Sequence, residues 1–194
     1  MAGTPRVKVG VMRRDELPFL FGLWRRPEVM RYADELPSLR GWSKSADPDE
    51  AWREHRGQRT AHGPLYTQLI VRLPDGQPIG ESFVAPLLEG YEFGRWRKPT
   101  GVPTVMGDVK LLPEYWGRGL GTEAMRAVVR WVFGRTTCQL FIVPPHLRNP
   151  AAQRVYEKAG FELYSGMRSA YGHRLMELSR TQYVKRARRR RGPA

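Results

Sequence analysis

Between Arg6 and Arg13 every second residue is apolar, with Val7, Val9 and Val11 on one side, which predicts a strand with one buried face. The period then lengthens. From Asp15 to Arg26, Leu17, Leu20, Phe21 and Trp24 recur at helical spacing behind acidic residues in the first turn, so a helix is expected there. Pro27 restarts the pattern through Val29 and Met30, and residues 36–46 are turn-rich and expected to be irregular. Asp47-Pro48-Asp49-Glu50 offers a capping side chain, a proline at the first helical position and a carboxylate three residues on. A second helix should therefore run from there to about Thr60.

Two β-rich runs follow, Leu65 to Leu73 and Pro78 to Leu87, joined by the turn signal Pro74-Asp75-Gly76-Gln77. Leu88 to Pro103 reads as a long loop, a candidate lid or substrate-binding edge. Thr104 to Leu112 reads as a strand. Three alternating glycines (Gly117, Gly119, Gly121) lead from it into a helix with Ala124, Ala127, Val128, Trp131 and Val132 on one face. Cys138 to Val143 is a short apolar strand ending at Pro144-Pro145. Asn149-Pro150 starts a last helix by the same cap-then-proline logic, and Gly160 ends it. Phe161 to Arg168 and His173 to Arg180 form a plausible closing hairpin. Strands interleaved with helices in this way predict a mixed α/β fold. The expected organisation is one domain over residues 1–184 and a basic, disordered tail over residues 185–194.

At 194 residues and 41% hydrophobic content the chain can build a substantial core. No apolar run is long enough to span a membrane, and the first residues, MAGTPRVKVGVMRR, lack the apolar segment of a secretory leader. A lone cysteine, Cys138, excludes an internal disulfide and a multi-cysteine metal site, so a reducing cytoplasm is the expected compartment and no metal is expected. The net charge is +14, and the run Lys185 to Arg191 is a large part of it. Such a run is more often a solvated tail than a contact for RNA, DNA or acidic proteins, and no aromatic residue interleaves it as a stacking platform would require.

The chemistry centres on Leu111 to Thr122, LLPEYWGRGLGT. A glycine-rich turn between a strand and a helix lets backbone amides approach a phosphate, and the helix N-terminus adds partial positive charge. The turn lacks the Gly-Lys-Ser/Thr of a Walker loop and the spacing of a dinucleotide fingerprint. Together with RNPAAQRVYEKAGF at Arg148 to Phe161, it resembles the GCN5-related N-acetyltransferase (GNAT) superfamily. In that family the turn is written Q/R-x-x-G-x-G/A. Here it reads Trp116-Gly117-Arg118-Gly119-Leu120-Gly121, with Trp116 in place of the usual Gln or Arg. The resemblance implies a mixed, mostly antiparallel sheet of about seven strands with helices on both faces, whose two central parallel strands splay apart to admit acetyl-CoA.

It also implies roles for single residues. The backbone at Arg118, Gly119, Leu120, Gly121 and Thr122 would hold the pyrophosphate, assisted by Arg118 or the Thr122 hydroxyl, with Trp116 and Gly117 in the same cofactor-binding turn. Leu111 and Leu112 would pair main-chain atoms with the pantetheine arm, which Asn149 would also contact. Tyr156 matches the tyrosine that protonates the leaving thiolate, with a core aromatic as the bland alternative. Asp108, in the strand VMGDVKLL, is the expected base, because a carboxyl among apolar neighbours should hold its proton more tightly. A solvent-facing aspartate is the equal alternative. Glu81 is the second candidate base. His146 and His173 titrate in a useful range, yet no partner in the sequence singles either out.

GQPIGESFV, GDVKLLPEYWGRGLGTEAM and RNPAAQRVYEKAGFE further resemble aminoglycoside 6′-N-acetyltransferases and siderophore-biosynthesis acyltransferases. The implied activity is acetyl transfer to a primary amine of a small molecule. Aminoglycosides are polycations and require an acidic pocket. Asp34, Glu35, Asp47, Asp49, Glu50, Glu89 and Glu92 lie in the N-terminal half, but the chain is strongly basic. Protein N-terminal acetylation and an RNA-binding module built on the same scaffold are the alternatives, and the resemblance leaves a homodimer open.

Overall fold

The computed structural model describes residues 5–33, 47–57, 59–60, 63–64, 66–166 and 168–191. The stretch expected to be irregular at residues 36–46 lies outside them, as do Asp34 and Glu35. Strand β1 spans Lys8–Val11, β2 Thr67–Arg72, β3 Pro78–Pro86, β4 Thr104–Gly107, β5 Lys110–Leu111, β6 Leu140–Val143, β7 Glu162–Leu163 and β8 Met176–Ser179. Helices are α1 Leu17–Trp24, α2 Pro27–Met30, α3 Pro48–Gly57, α4 Leu120–Arg135, α5 Pro150–Ala159 and α6 Arg180–Arg191. Asp47 caps α3 by accepting the Asp49 amide at 2.9 Å. That helix stops at Gly57, short of Thr60, because Arg59–Thr60 turns back to pair with Gly63–Pro64.

Among the described residues the main sheet has eight strands in the order β1-β2-β3-β4-β6-β8-β7, with β5 paired to β3 beyond the end of β4. Only β4 and β6 run parallel; the other pairs are antiparallel. The eighth strand arises because the run Thr104 to Leu112 is broken at Asp108-Val109. Val84 pairs with Gly107 and Glu81 with Lys110, but no ladder joins the residues between. Gly107 makes the break feasible: a Cβ there would sit 2.5 Å from the Phe83 carbonyl oxygen. Glycine lets the two backbones close up at that point.

Period-two alternation divides the sheet between two covers. Leu69 and Val71 of β2 face α4, while Ile70 between them packs against Leu17, Leu20 and Phe21 of α1. On the α4 and α5 side, Val128, Val132 and Tyr156 close over Val105, Phe141, Val143, Met176 and Leu178. Cys138 is buried in the same cluster, and burial pushes its thiol up to about 11, as befits a core residue. The stretch expected to be a long loop at Leu88 to Pro103 helps cover the opposite face. It carries a short antiparallel ladder, Glu92–Phe93 with Trp96–Arg97, and buries Phe93 and Trp96 against Met106, Ile142 and Leu175.

Residues Lys185 to Arg191, expected to be disordered, belong to α6. The reason lies in how the helix is attached. The Arg180 guanidinium donates to the carbonyls of Phe133, Thr136 and Cys138, each at 2.8 Å, and sits over the Phe133 ring. Tyr183 stacks on the same ring, and Arg186 bonds the Gly160 carbonyl and Glu162. No helix among the described residues is long and apolar enough to cross a membrane.

Candidate active site

The glycine turn follows β5. Pro113–Tyr115 forms one 3-10 turn, and Gly117 and Gly119 then take φ of 71° and 78°. Left-handed backbone at Gly119 aims the chain into α4 without a capping side chain, so the first N–H groups of this 16-residue helix remain available to an anion. Arg118 is exposed beside them, its guanidinium 5.7 Å from the Tyr115 ring centroid. Leu120 is buried. Gly121 brings α4 close to α5, since a Cβ there would lie 3.4 Å from Val155 Cγ2. Thr122 is half-buried in the first turn of α4.

Trp116 is half-exposed, and its indole N–H donates to the Leu111 carbonyl at 2.8 Å. The Leu112 amide donates to Ile79 at 2.9 Å, and the Leu112 carbonyl accepts from Tyr115 at 3.0 Å. Of the Leu112 main chain, expected to serve a pantetheine arm, the amide is thus engaged inside the protein and the carbonyl keeps a second lone pair. A ligand at the Leu111 carbonyl would take its second lone pair or replace the indole. Asn149 caps α5, its Oδ1 accepting the Ala152 amide at 3.1 Å, which is the structural role its sequence position allowed.

At the break between β4 and β5 three charged side chains meet. The Lys110 ammonium bonds Asp108 Oδ2 and, at 2.9 Å, Glu81 Oε1. Glu81 is fully buried and also accepts from Gln68 Nε2 at 2.5 Å and from the Trp24 indole at 3.3 Å. Asp108 Oδ1 is buried and has no hydrogen-bond partner. Its side chain is only 16% exposed. Burial pushes the Asp108 carboxyl up to about 6; Lys110 opposes this, the Glu81 charge adds to it, and the Phe83 amide favours the ionised form. Lys110 is held above the ordinary lysine range because the attraction of both carboxylates outweighs its burial.

Tyr156 reaches the same break from α5. It is 4% exposed, packs edge-on against Phe161, and meets the backbone amide of Val109. Burial raises its hydroxyl well above the usual phenol range, and the Asp108 charge adds to the effect. The fold therefore brings together Asp108, Glu81 and Tyr156, three of the residues singled out from sequence.

The two histidines turn out to be each other's neighbours, with ring centroids 4.9 Å apart and Tyr32 stacked on His146. His173 Nδ1 donates to the Pro144 carbonyl at 2.8 Å, and His146 Nδ1 accepts the Arg148 amide at 3.0 Å. Parallel pairing of Ile142 with Met106 puts Pro144 level with Asp108, beyond the last paired residues of β4 and β6. The residues missed in the sequence are Lys110, Gln68 and Trp24. For Lys110 the available signal was the Asp-x-Lys spacing, which sets two side chains on one side of an extended chain. Among the described residues no group of three His, Cys, Asp or Glu could hold a metal ion. Of the acidic residues a polycation would need, Asp49, Glu89 and Glu92 already pair with Arg14, Lys98 and Arg97.

Comparison with known proteins gives the family and the fold. The acetyltransferase (GNAT) domain family matches residues 6–162. The aminoglycoside N(6′)-acetyltransferase type 1 of Serratia marcescens is 33% identical over 123 residues, which are 61% of this chain and 59% of that protein. Its counterpart in Klebsiella pneumoniae is 38% identical over 96 residues, 47% of this chain and 46% of that protein. The chain thus spans about half the length of these curated relatives. Among solved structures, AAC(6′)-Ib in complex with ribostamycin and coenzyme A has a TM-score of 0.71 and 26% identity, covering 92% of this chain and 96% of that one. Spermidine N-acetyltransferase from Vibrio cholerae, solved with CoA and spermine, has the same fold, with a TM-score of 0.69, 15% identity, and 93% and 99% coverage.

Proposed function

The chain belongs to the GNAT acetyltransferase family, and from that membership we propose that it moves an acetyl group from acetyl-CoA to a primary amine of a small molecule. One observation carries the reading: Asp108 presents a buried carboxylate oxygen with no hydrogen-bond partner at the break that the Tyr156 hydroxyl also meets.

Acetyl-CoA supplies an activated thioester, so positioning and proton transfer remain for the protein. The turn from Trp116 to Thr122 fits an anion through the uncapped start of α4 and the adjacent Arg118. Asp108 Oδ1 takes a proton from the acceptor ammonium, and a carboxyl raised to about 6 suits that transfer near neutrality. The freed nitrogen bonds the acyl carbon as the carbon–sulfur bond breaks. Tyr156, kept protonated by burial, gives its hydroxyl proton to the departing sulfur, and the second proton that the acylated nitrogen sheds restores the tyrosine hydroxyl.

The test is calorimetric titration of the purified protein with acetyl-CoA. Thiol release is then followed with aminoglycosides, polyamines and hydroxamate precursors. Saturable cofactor binding with acceptor-dependent thiol release supports the reading, and the acceptor that turns over gives the substrate class. Absence of cofactor binding sinks it.

A second reading has one observation in its favour. Lys185, Arg188 and Arg189 are exposed along α6, an array suited to a nucleic-acid backbone. Under that reading the polyanion would bind with strong salt dependence and without turnover.

A further inference from the structure

The cluster at the strand break contains one carboxylate more than its single cation can neutralise. Glu81 is satisfied by Lys110, Gln68 and Trp24 and would balance Lys110 alone. Asp108 is the surplus anion, bonded at one oxygen and bare at the other. An ion pair kept for stability gains nothing from a second buried carboxylate beside the first, because the two repel. A site that receives an ammonium does gain from it, since the incoming charge completes the cluster.

We propose that Lys110 is a positioning residue for this reaction: anchored on Glu81, its ammonium holds Asp108 by Oδ2, keeps the carboxylate ionised and leaves Oδ1 as the one atom free to accept the proton. This rests on the reading of Asp108 as the base. The groups facing Asp108 are Glu81 from β3, Lys110 from β5, the Phe83 amide from β3 and the neutral Tyr156 hydroxyl from α5. Lys110 is itself held by more than the two carboxylates, since its ammonium lies 5.7 Å from the Phe83 ring centroid and its side chain is 10% exposed. Its position is fixed by packing as well as by charge.

The test uses full-length protein carrying ¹³Cγ-aspartate, with the Asp108 resonance identified by its loss in Asp108→Asn. The titration midpoint is compared with the acid limb of kcat/KM for whichever acceptor turns over. Lys110→Met should move midpoint and limb up by more than about one pH unit, so that the rate at pH 7 falls at least about twofold and recovers towards pH 9. Lys110→Arg should return both close to wild type. Glu81→Gln, which removes the like charge, should move both down. A midpoint left unmoved by Lys110→Met and Glu81→Gln, or an equal loss of rate at every pH, overturns the proposal. If Lys110→Met does not fold, the double variant Glu81→Gln/Lys110→Met replaces it. Its midpoint should lie above that of Glu81→Gln alone, and equality overturns the proposal. The reading of Asp108 fails separately, by an acid limb that survives in Asp108→Asn, while the resonance still reports on Lys110.

Discussion

Trp116 closes its own turn onto the preceding strand: its indole N–H donates to the Leu111 carbonyl at 2.8 Å although the ring is half-exposed. The position is usually Gln or Arg in the family turn, and the resemblance assigns main-chain atoms of Leu111 and Leu112 to the pantetheine arm. A ligand that takes the lone pair used by the indole displaces it. A hydrogen bond of this kind contributes on the order of 1 kcal/mol, about a fivefold change in an equilibrium. Trp116→Phe keeps an aromatic ring and removes the bond, so acetyl-CoA should bind up to about fivefold more tightly by calorimetry. An unchanged affinity would mean that the pantetheine arm does not compete with the indole.

Asp108 and Tyr156 carry separate proton transfers, so their variants should fail in different ways. Asp108→Asn and Tyr156→Phe should each lower kcat/KM by about 10²-fold or more while leaving acetyl-CoA affinity near wild type. Of the two, Asp108→Asn alone should abolish the acid limb. Near-normal turnover in both variants would dismiss the mechanism.

The Asp108 carboxyl also ties folding to pH. It is pushed from its ordinary 3.8 up to about 6, first by burial and then by Glu81. Between those values the folded protein keeps a proton that the unfolded chain has released. This group's contribution to stability is therefore present below 3.8 and lost as pH rises through about 6. The melting temperature of wild type relative to Asp108→Asn should fall between pH 4 and pH 7. Activity should move the opposite way, with kcat/KM climbing as pH rises through the same range. A melting difference that is flat with pH would show that the carboxyl is not raised.

These relationships were unequally legible in the chain. Helices α4 and α5 announced themselves through apolar spacing, the glycine turn and the Asn149-Pro150 cap, all of which are local. The strand from Thr104 to Leu112 was equally visible, but its division at Asp108 was not. That division depends on Gly107 meeting the Phe83 carbonyl, a neighbour known only once β3 and β4 are paired. Lys110 was passed over for the same reason, since its value comes from Glu81, 29 residues earlier. The Leu88 to Pro103 stretch has a loop's composition, yet Phe93 and Trp96 find an apolar face on Met106 and Ile142. Local chemistry could be read directly, whereas contacts that needed the sheet to exist could not.

The C-terminal helix gives the last prediction, because its basic residues divide into two kinds. Arg180 and Arg186 are spent on carbonyl groups of the body of the protein. Removing Arg180 leaves three carbonyls without their charged donor, so Arg180→Ala should destabilise the fold by about 2–4 kcal/mol, read as a lower melting temperature. Lys185, Arg188 and Arg189 are exposed on the same helix. Reversing those three to Glu should leave the melting temperature and acetyl transfer close to wild type. If the helix binds nucleic acid, the same variant should lose affinity for a labelled RNA, and the dependence of log affinity on log salt should flatten by about 0.7–0.9 for each lost phosphate contact. An unchanged salt slope would mark the exposed arginines as a solvated face and leave amine acetylation as the sole reading. Cutting the chain at Lys185 would not separate these outcomes, because Arg186 and its bond to Gly160 would go as well.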